Sequence, residues 1–276
     1  MKKKGMVLVL ALVSLCLVLA CAGCGGSSSS QEDPISDGKL SVAVDDTYLP
    51  MEYRDDQNNL VGFDIDFANA LGKDLGVSVD FQTVAWDGIF NGLNSKQYDA
   101  IISSTSITDE RKKGFNQTDP YVANGIVLVS NKTGNQVSKF EDLEGKTLGV
   151  QIQTSADEAA NKLKSEKGTN VTIKEYDAML DAFSALEGKQ IDNIMTDEAV
   201  GEYYASIKPD VFVVSSKTLT NEPIGVTVRK GDDDFTKKLN ESIKHLQDNG
   251  TMAQLSNKWF KKDMTSNIDT KLNVIQ

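Results

Sequence analysis

An α/β protein of two lobes is predicted by three observations. Between residues 40 and 106 strand-like and helix-like segments alternate as βαβαβ, which favours a parallel sheet with helices on its faces. An apolar extended run at 121–129, just after Pro120, is long enough to leave that unit. A second alternation of strands and helices follows, and residues 221–228 lead back.

The first strand, 40–44, ends in Asp45-Asp46-Thr47-Tyr48-Leu49-Pro50-Met51-Glu52. Ligands of open α/β sheets lie beyond the carboxyl ends of the strands, so Tyr48 is placed to lay its ring against one, or else to pack within its loop. Gly62-Phe63-Asp64-Ile65-Asp66 opens a helix with Asp64 as the expected N-cap; Phe67, Leu71 and Leu75 recur every four residues as core, and Gly76 suits the C-terminal cap. The alternating strand 77–81 leads to a helix starting at Trp86, again at the ligand edge, although most tryptophans are simply core.

Next comes Tyr98-Asp99-Ala100-Ile101-Ile102-Ser103-Ser104-Thr105-Ser106-Ile107-Thr108-Asp109-Glu110-Arg111, an apolar run ending in hydroxyls and an arginine. Ser104 and Ser106 share a face of an extended chain, and Arg111 falls on the first turn of a helix capped by Thr108. A guanidinium fork with hydroxyls and free N–H groups suits a small carboxylate. Taken alone, the segment reads equally well as an ordinary Ser/Thr turn beside a surface arginine.

The chain has 276 residues, enough for two modest domains, with ordinary globular composition at 39% apolar and 25% charged residues. Its formal charge is −11; without Lys2, Lys3 and Lys4 it holds 26 basic against 40 acidic residues, or −14. No cluster of Lys and Arg is visible, so nucleic acid is not an expected partner. Cys16, Cys21 and Cys24 all lie at the N-terminus, leaving the rest without a thiol, and the single His245 cannot build a zinc site. No cofactor is expected.

Met1-Lys2-Lys3-Lys4 and the uncharged run 7–20 form the basic and apolar regions of a signal peptide. A small residue precedes both Cys21 and Cys24, and Gly25-Gly26-Ser27-Ser28-Ser29-Ser30 follows as a polar leash. This resembles a bacterial lipoprotein signal. Cys21 has the branched apolar residue three positions earlier, whereas Cys24 has the commoner Ala-Gly before it. Either is a candidate for acylation, with Cys21 slightly favoured and a plain secretory signal as the alternative.

Gly62-Phe63-Asp64-Ile65-Asp66, Trp86-Asp87-Gly88-Ile89, Tyr98-Asp99-Ala100-Ile101-Ile102-Ser103, Ser106-Ile107-Thr108-Asp109-Glu110-Arg111-Lys112-Lys113 and Asp119-Pro120-Tyr121 occur in this order and spacing. Together they resemble the polar amino acid-binding proteins of bacterial ABC importers, the family 3 solute-binding proteins, from about residue 40 to 260. The resemblance implies a type II periplasmic binding protein-like fold, two Rossmann-like lobes joined by two crossing hinge segments, that closes on one free amino acid. It also implies ABC permease subunits as partners and a monomer anchored outside the cell membrane by its N-terminal lipid. The expected divisions are a leader at 1–23, a linker at 24–37, a first lobe at 38–123 plus 221–265, a second at 124–220, and a tail at 266–276.

In the second lobe 145–151 reads as a strand, and Thr154-Ser155 opens a helix whose free N–H groups and dipole can hold an anion, or is a plain cap. A helix at 177–187 precedes the strand of Gln190-Ile191-Asp192-Asn193-Ile194-Met195-Thr196-Asp197. Asp197 could merely cap the next helix; the resemblance implies that it takes the ligand's α-ammonium, and a carboxylate suits a buried ammonium. After the return, Phe235, Leu239, Ile243 and Leu246 form a helical stripe, followed by Met252, Leu255 and Trp259, all expected in packing.

The expected clamp holds the ligand carboxylate with Arg111, the Ser106 N–H and the Ser155 N–H, and the ammonium with the Ser104 carbonyl, the Ser106 hydroxyl and Asp197. Tyr48 and Trp86 are expected to flank the side chain, and Asp45 and Glu52 to approach its tip, unless Glu52 faces solvent. Aromatic faces with nearby acids favour lysine, arginine or histidine, although Asp45 could also serve a glutamine amide. Rival expectations on the same scaffold are an extracytoplasmic dehydratase and a sensor for a membrane kinase.

Overall fold

The structure, a computed structural model, describes residues 33–134 and 136–272. The expected leader with Cys21 and Cys24, and most of the leash, lie outside the described residues. The leash was expected to reach residue 37, but Asp33 pairs with Lys238 at 2.5 Å and Ile35 is buried, because burying an apolar side chain offsets the entropy of a free linker.

In chain order the first-lobe strands are β1 (Lys39–Val44), β2 (Thr47–Tyr48), β3 (Glu52–Arg54), β4 (Leu60–Val61), β5 (Ser78–Thr83), β6 (Ala100–Ile101) and β7 (Phe115–Gln117). The second lobe follows with β8 (Ile126–Asn131), β9 (Thr147–Gln151), β10 (Thr172–Tyr176), β11 (Asn193–Asp197) and β12 (Phe212–Val214), and β13 (Thr227–Arg229) returns to the first. Two five-stranded sheets result, ordered β5-β1-β6-β13-β7 and β10-β9-β11-β8-β12, while β2, β3 and β4 form a small ribbon.

Neither large sheet is purely parallel. β1 runs parallel to β5 and β6, but β13 is antiparallel to β6 and β7. Likewise β9 is parallel to β10 and β11, but β8 is antiparallel to β11 and β12. The cause is topological: β8 and β13 each follow a crossing and enter their sheet from the side of the other lobe, against the direction of the strands that point there.

The helices are α1 (Phe63–Leu75), α2 (Trp86–Asn94), α3 (Asp109–Gly114), α4 (Ser155–Lys167), α5 (Met179–Glu187), α6 (Glu198–Ile207), α7 (Asp233–Asp248) and α8 (Thr251–Phe260). The N-cap of α1 is Gly62 rather than Asp64. Gly62 has φ +143°, and a Cβ there would lie 2.0 Å from the Met51 carbonyl oxygen, so only glycine allows this turn. Asp64 is thereby carried inside the helix and turned inward. At the other end Gly76 closes α1 in the left-handed conformation, as its position predicts.

Phe67 and Leu71 of α1 are fully buried, Phe67 stacking on Tyr121 at 4.3 Å between centroids. The stripe Phe235, Leu239, Ile243 and Leu246 of α7 is buried too. His245 sits on the outside of that helix, its Nδ1 2.5 Å from Asp74.

The crossings pair with each other: Tyr121 N–H donates to the Ile224 carbonyl, Ile224 N–H to Val122 and Glu222 N–H to Asn124 at 2.9–3.0 Å. They lie so close that a Cβ on Gly125 would come within 2.2 Å of the Thr220 carbonyl. The expected tail is tied down over the described residues: Asn221 Nδ2 donates to the Asp269 carbonyl at 3.0 Å and to the Lys271 carbonyl at 2.9 Å.

Candidate functional site

The carboxyl ends of both sheets open on one cleft with about 330 Å³ of empty space, part of it open to solvent. Its walls are Asp45, Tyr48, Glu52, Trp86, Ser103, Ser104, Ser106 and Arg111 from the first lobe, and Gln151, Thr154, Ser155, Ala156 and Asp197 from the second. All the side chains named from the sequence as ligand contacts lie along it.

Thr108 caps α3 by accepting the Arg111 N–H at 3.1 Å, which fixes the direction in which Arg111 leaves the backbone. Its guanidinium donates to the Ser106 carbonyl at 3.0 Å and lies over the rings of Trp86 and Phe90, 5.6 and 5.2 Å from their centroids. Gln117 Nε2 also donates to the Ser106 carbonyl, at 3.1 Å.

Ser104 and Ser106 do not reach the cleft by strand alternation. β6 ends at Ile101, and Ser104 has φ +45°, a left-handed backbone that a side chain rarely adopts. Asp64 holds it there, accepting the Ser104 N–H at 2.7 Å and the Tyr121 hydroxyl at 2.9 Å. Burial pushes Asp64 up to about 6 against the lowering effect of these donors.

Glu52 does not face solvent: it is fully buried and accepts the Ser103 hydroxyl at 2.7 Å. Burial first and the neighbouring Asp64 second push Glu52 well above the usual carboxylate range. Asp45, also raised by burial, accepts the Thr47 hydroxyl at 2.7 Å and Gln151 Nε2 from the second lobe at 2.8 Å.

On the second lobe Thr154 caps α4, accepting the Asp157 N–H at 3.2 Å, so Ser155 occupies the first helical position with its N–H outside the helical ladder. The Ser155 hydroxyl meets that of Ser106 across the cleft at 3.1 Å. Asp197 stands at the N-cap of α6 yet makes no capping bond. Its carboxylate instead accepts the Tyr48 hydroxyl at 2.9 Å and Asn124 Nδ2 at 2.8 Å. Burial pushes Asp197 up to about 6 despite both donors.

Sequence reasoning missed Gln151 as a wall residue, Asn124 as the partner of Asp197, and Phe90 behind Arg111. Gln151 ends a strand at the ligand edge, the same signal that marked Tyr48. Asn124 and Phe90 carry no local signal, because their roles depend on the crossing and on the reach of Arg111 from α3 over the Phe90 ring of α2.

Comparison with known proteins bears on this geometry. The chain is 31% identical to the L-cystine-binding protein TcyJ of Escherichia coli (strain K12) over 92% of this chain and 96% of that one. It is 30% identical to the arginine-binding extracellular protein ArtP of Bacillus subtilis (strain 168), over 91% and 97%. Among solved structures, holo ArgBP from T. maritima superposes with a TM-score of 0.74 at 34% identity, covering 83% of this chain and 100% of that one. The family model for bacterial extracellular solute-binding proteins, family 3, matches residues 40–262, and the chain belongs to that family.

Proposed function

We propose that the protein captures one free amino acid between its lobes and delivers it to an ABC permease, with lysine, arginine or histidine as the preferred ligand. One observation carries this reading: a cationic anchor on the first lobe, Arg111, and an anionic anchor on the second, Asp197, line a single small cleft. Arg111 with the N–H groups of Ser106 and Ser155 would take the carboxylate. Asp197, the Ser104 carbonyl and the Ser106 hydroxyl would take the ammonium. Full coordination needs both lobes, so a ligand favours the closed form by its extra affinity for it.

A basic side chain is favoured because the hydrogen bonds that Asp45 accepts come from neutral donors, Thr47 and Gln151, and Tyr48 and Trp86 flank the same space. The names of ArtP and ArgBP, which bind arginine, support this choice. Cystine, the ligand in the name of TcyJ, would bring a second zwitterionic end without net charge towards Asp45 and the Glu52–Asp64 pair, and glutamine would offer only a neutral amide. Lobes at 38–123 plus 221–265 and at 124–220, and acylation of Cys21 or Cys24 as the membrane anchor, complete the proposal. The role is binding rather than catalysis: the dehydratase alternative requires the bound molecule to come back altered.

A thermal-shift screen against the twenty amino acids and L-cystine tests the reading. A ligand at about 100 times its dissociation constant adds roughly 2.7 kcal/mol of stability. The largest shifts are expected from basic amino acids, recovered unchanged by NMR. No shift with any of them would overturn the proposal.

A further inference from the structure

Within the cleft, hydrogen bonds join the lobes from Tyr48 to Asp197 and Thr196, from Asp45 to Gln151, from Ser106 to Ser155, and from Trp86 to Gln153; outside it, Lys262 pairs with Glu198 and Glu202. Those of Tyr48, Asp45 and Ser106 use groups that the proposed ligand would claim. That of Trp86 does not, since the indole Nε1–H donates to a backbone carbonyl, that of Gln153, at 3.3 Å.

Both partners are held in place independently. Trp86 starts α2, is 6% exposed, packs edge-on against Phe90 at 5.4 Å and carries Arg111 over its ring. Gln153 lies between β9 and α4 with φ +58°, a left-handed conformation in which its N–H donates to Asp157 Oδ2 at 3.0 Å. Asp157 is in turn fixed by Asn161 Nδ2 at 2.7 Å.

We propose that Trp86 is the latch of lobe closure and a positioning residue for Arg111: one ring backs the guanidinium of the first lobe, and its N–H fastens that lobe to the Gln153 turn of the second. The bond spares the ligand's anchors, so it holds the closed form with ligand bound and slows release. Asp157 sets the receiving carbonyl. The choice of probe below rests on the proposed ligand class, whereas the scattering measurement does not.

Trp86→Phe keeps an aromatic ring behind Arg111 and deletes the donor together with the second ring of the indole. In stopped-flow measurements with L-arginine, the variant should release the ligand about three- to tenfold faster. Asp157→Ala, which frees the Gln153 turn, should speed release similarly, and the double variant should be no faster than the faster single one. Small-angle scattering without any amino acid should give a larger radius of gyration for Trp86→Phe than for the parent. An unchanged release rate and radius for Trp86→Phe, or additive effects in the double variant, would overturn the latch. If the parent fails to bind L-arginine, the ligand proposal fails, and the latch stands or falls on the scattering comparison alone.

Discussion

On the first lobe Arg111 is held by the Ser106 carbonyl and the rings of Trp86 and Phe90, and Ser104 by Asp64, all partners within that lobe. On the second, Asp197 owes its two hydrogen bonds to Asn124 in the crossing and to Tyr48 across the cleft. The Arg111 and Ser104 anchors of the first wall are therefore preassembled within their own lobe, while the surroundings of Asp197 are completed by closure. A ligand carboxylate can dock on Arg111 before the lobes meet, and its ammonium then supplies what Asp197 needs to remain charged out of water.

Breaking the preassembled wall should cost most. Arg111→Ala removes a charge-assisted fork that reads the part common to all amino acids, so calorimetry should show a loss of about a hundredfold or more for every ligand. A variant that still binds normally would refute the carboxylate assignment.

Asp197→Asn strikes the wall that closure completes, with an expected loss of about ten- to a hundredfold at pH 7.5. The same substitution should raise the melting temperature without ligand, because it removes a buried carboxylate that is costly to ionise. A ligand ammonium requires the ionised form, so the parent's affinity should fall as pH drops through about 6, by at most tenfold per unit, and this dependence should flatten in the variant.

Stability without ligand should run the other way. Asp64 and Asp197, both raised to about 6, hold protons more tightly folded than unfolded. Their contribution is fully present below the unfolded value near 3.8 and is lost as pH rises through about 6. Melting temperatures between pH 4.5 and 7.5 should show a downward trend that Asp64→Asn weakens.

The smallest change is at the pocket's far end. Asp45→Asn should weaken basic ligands about three- to tenfold while leaving glutamine nearly unaffected, which calorimetry on both would resolve.

The difference between the walls also explains what could be read in advance. Arg111, Ser106, Ser155 and Asp197 stand where a strand meets a helix, and that junction is written locally in apolar runs, caps and acids. Their partners are not. Asp64 follows a glycine and imitates an N-cap, and only the approach of Met51 to Gly62 places it inside α1. The alternation of Ser104 and Ser106 failed because the strand ends at Ile101 and Asp64 imposes a left-handed turn beyond it. The antiparallel β8 and β13 were hidden for a similar reason: their direction is set by which lobe the chain arrives from, a relation between distant segments. Single periodic elements such as α7 needed no such information.

The central claim is that two lobes grip opposite ends of one amino acid. Calorimetry with the L-amino acid that gives the largest thermal shift, beside its Nα-acetyl form and its carboxamide, tests it most directly. The account predicts tight binding of the free amino acid and a loss of at least a hundredfold when either end is blocked. Equal affinity for either blocked form would contradict it.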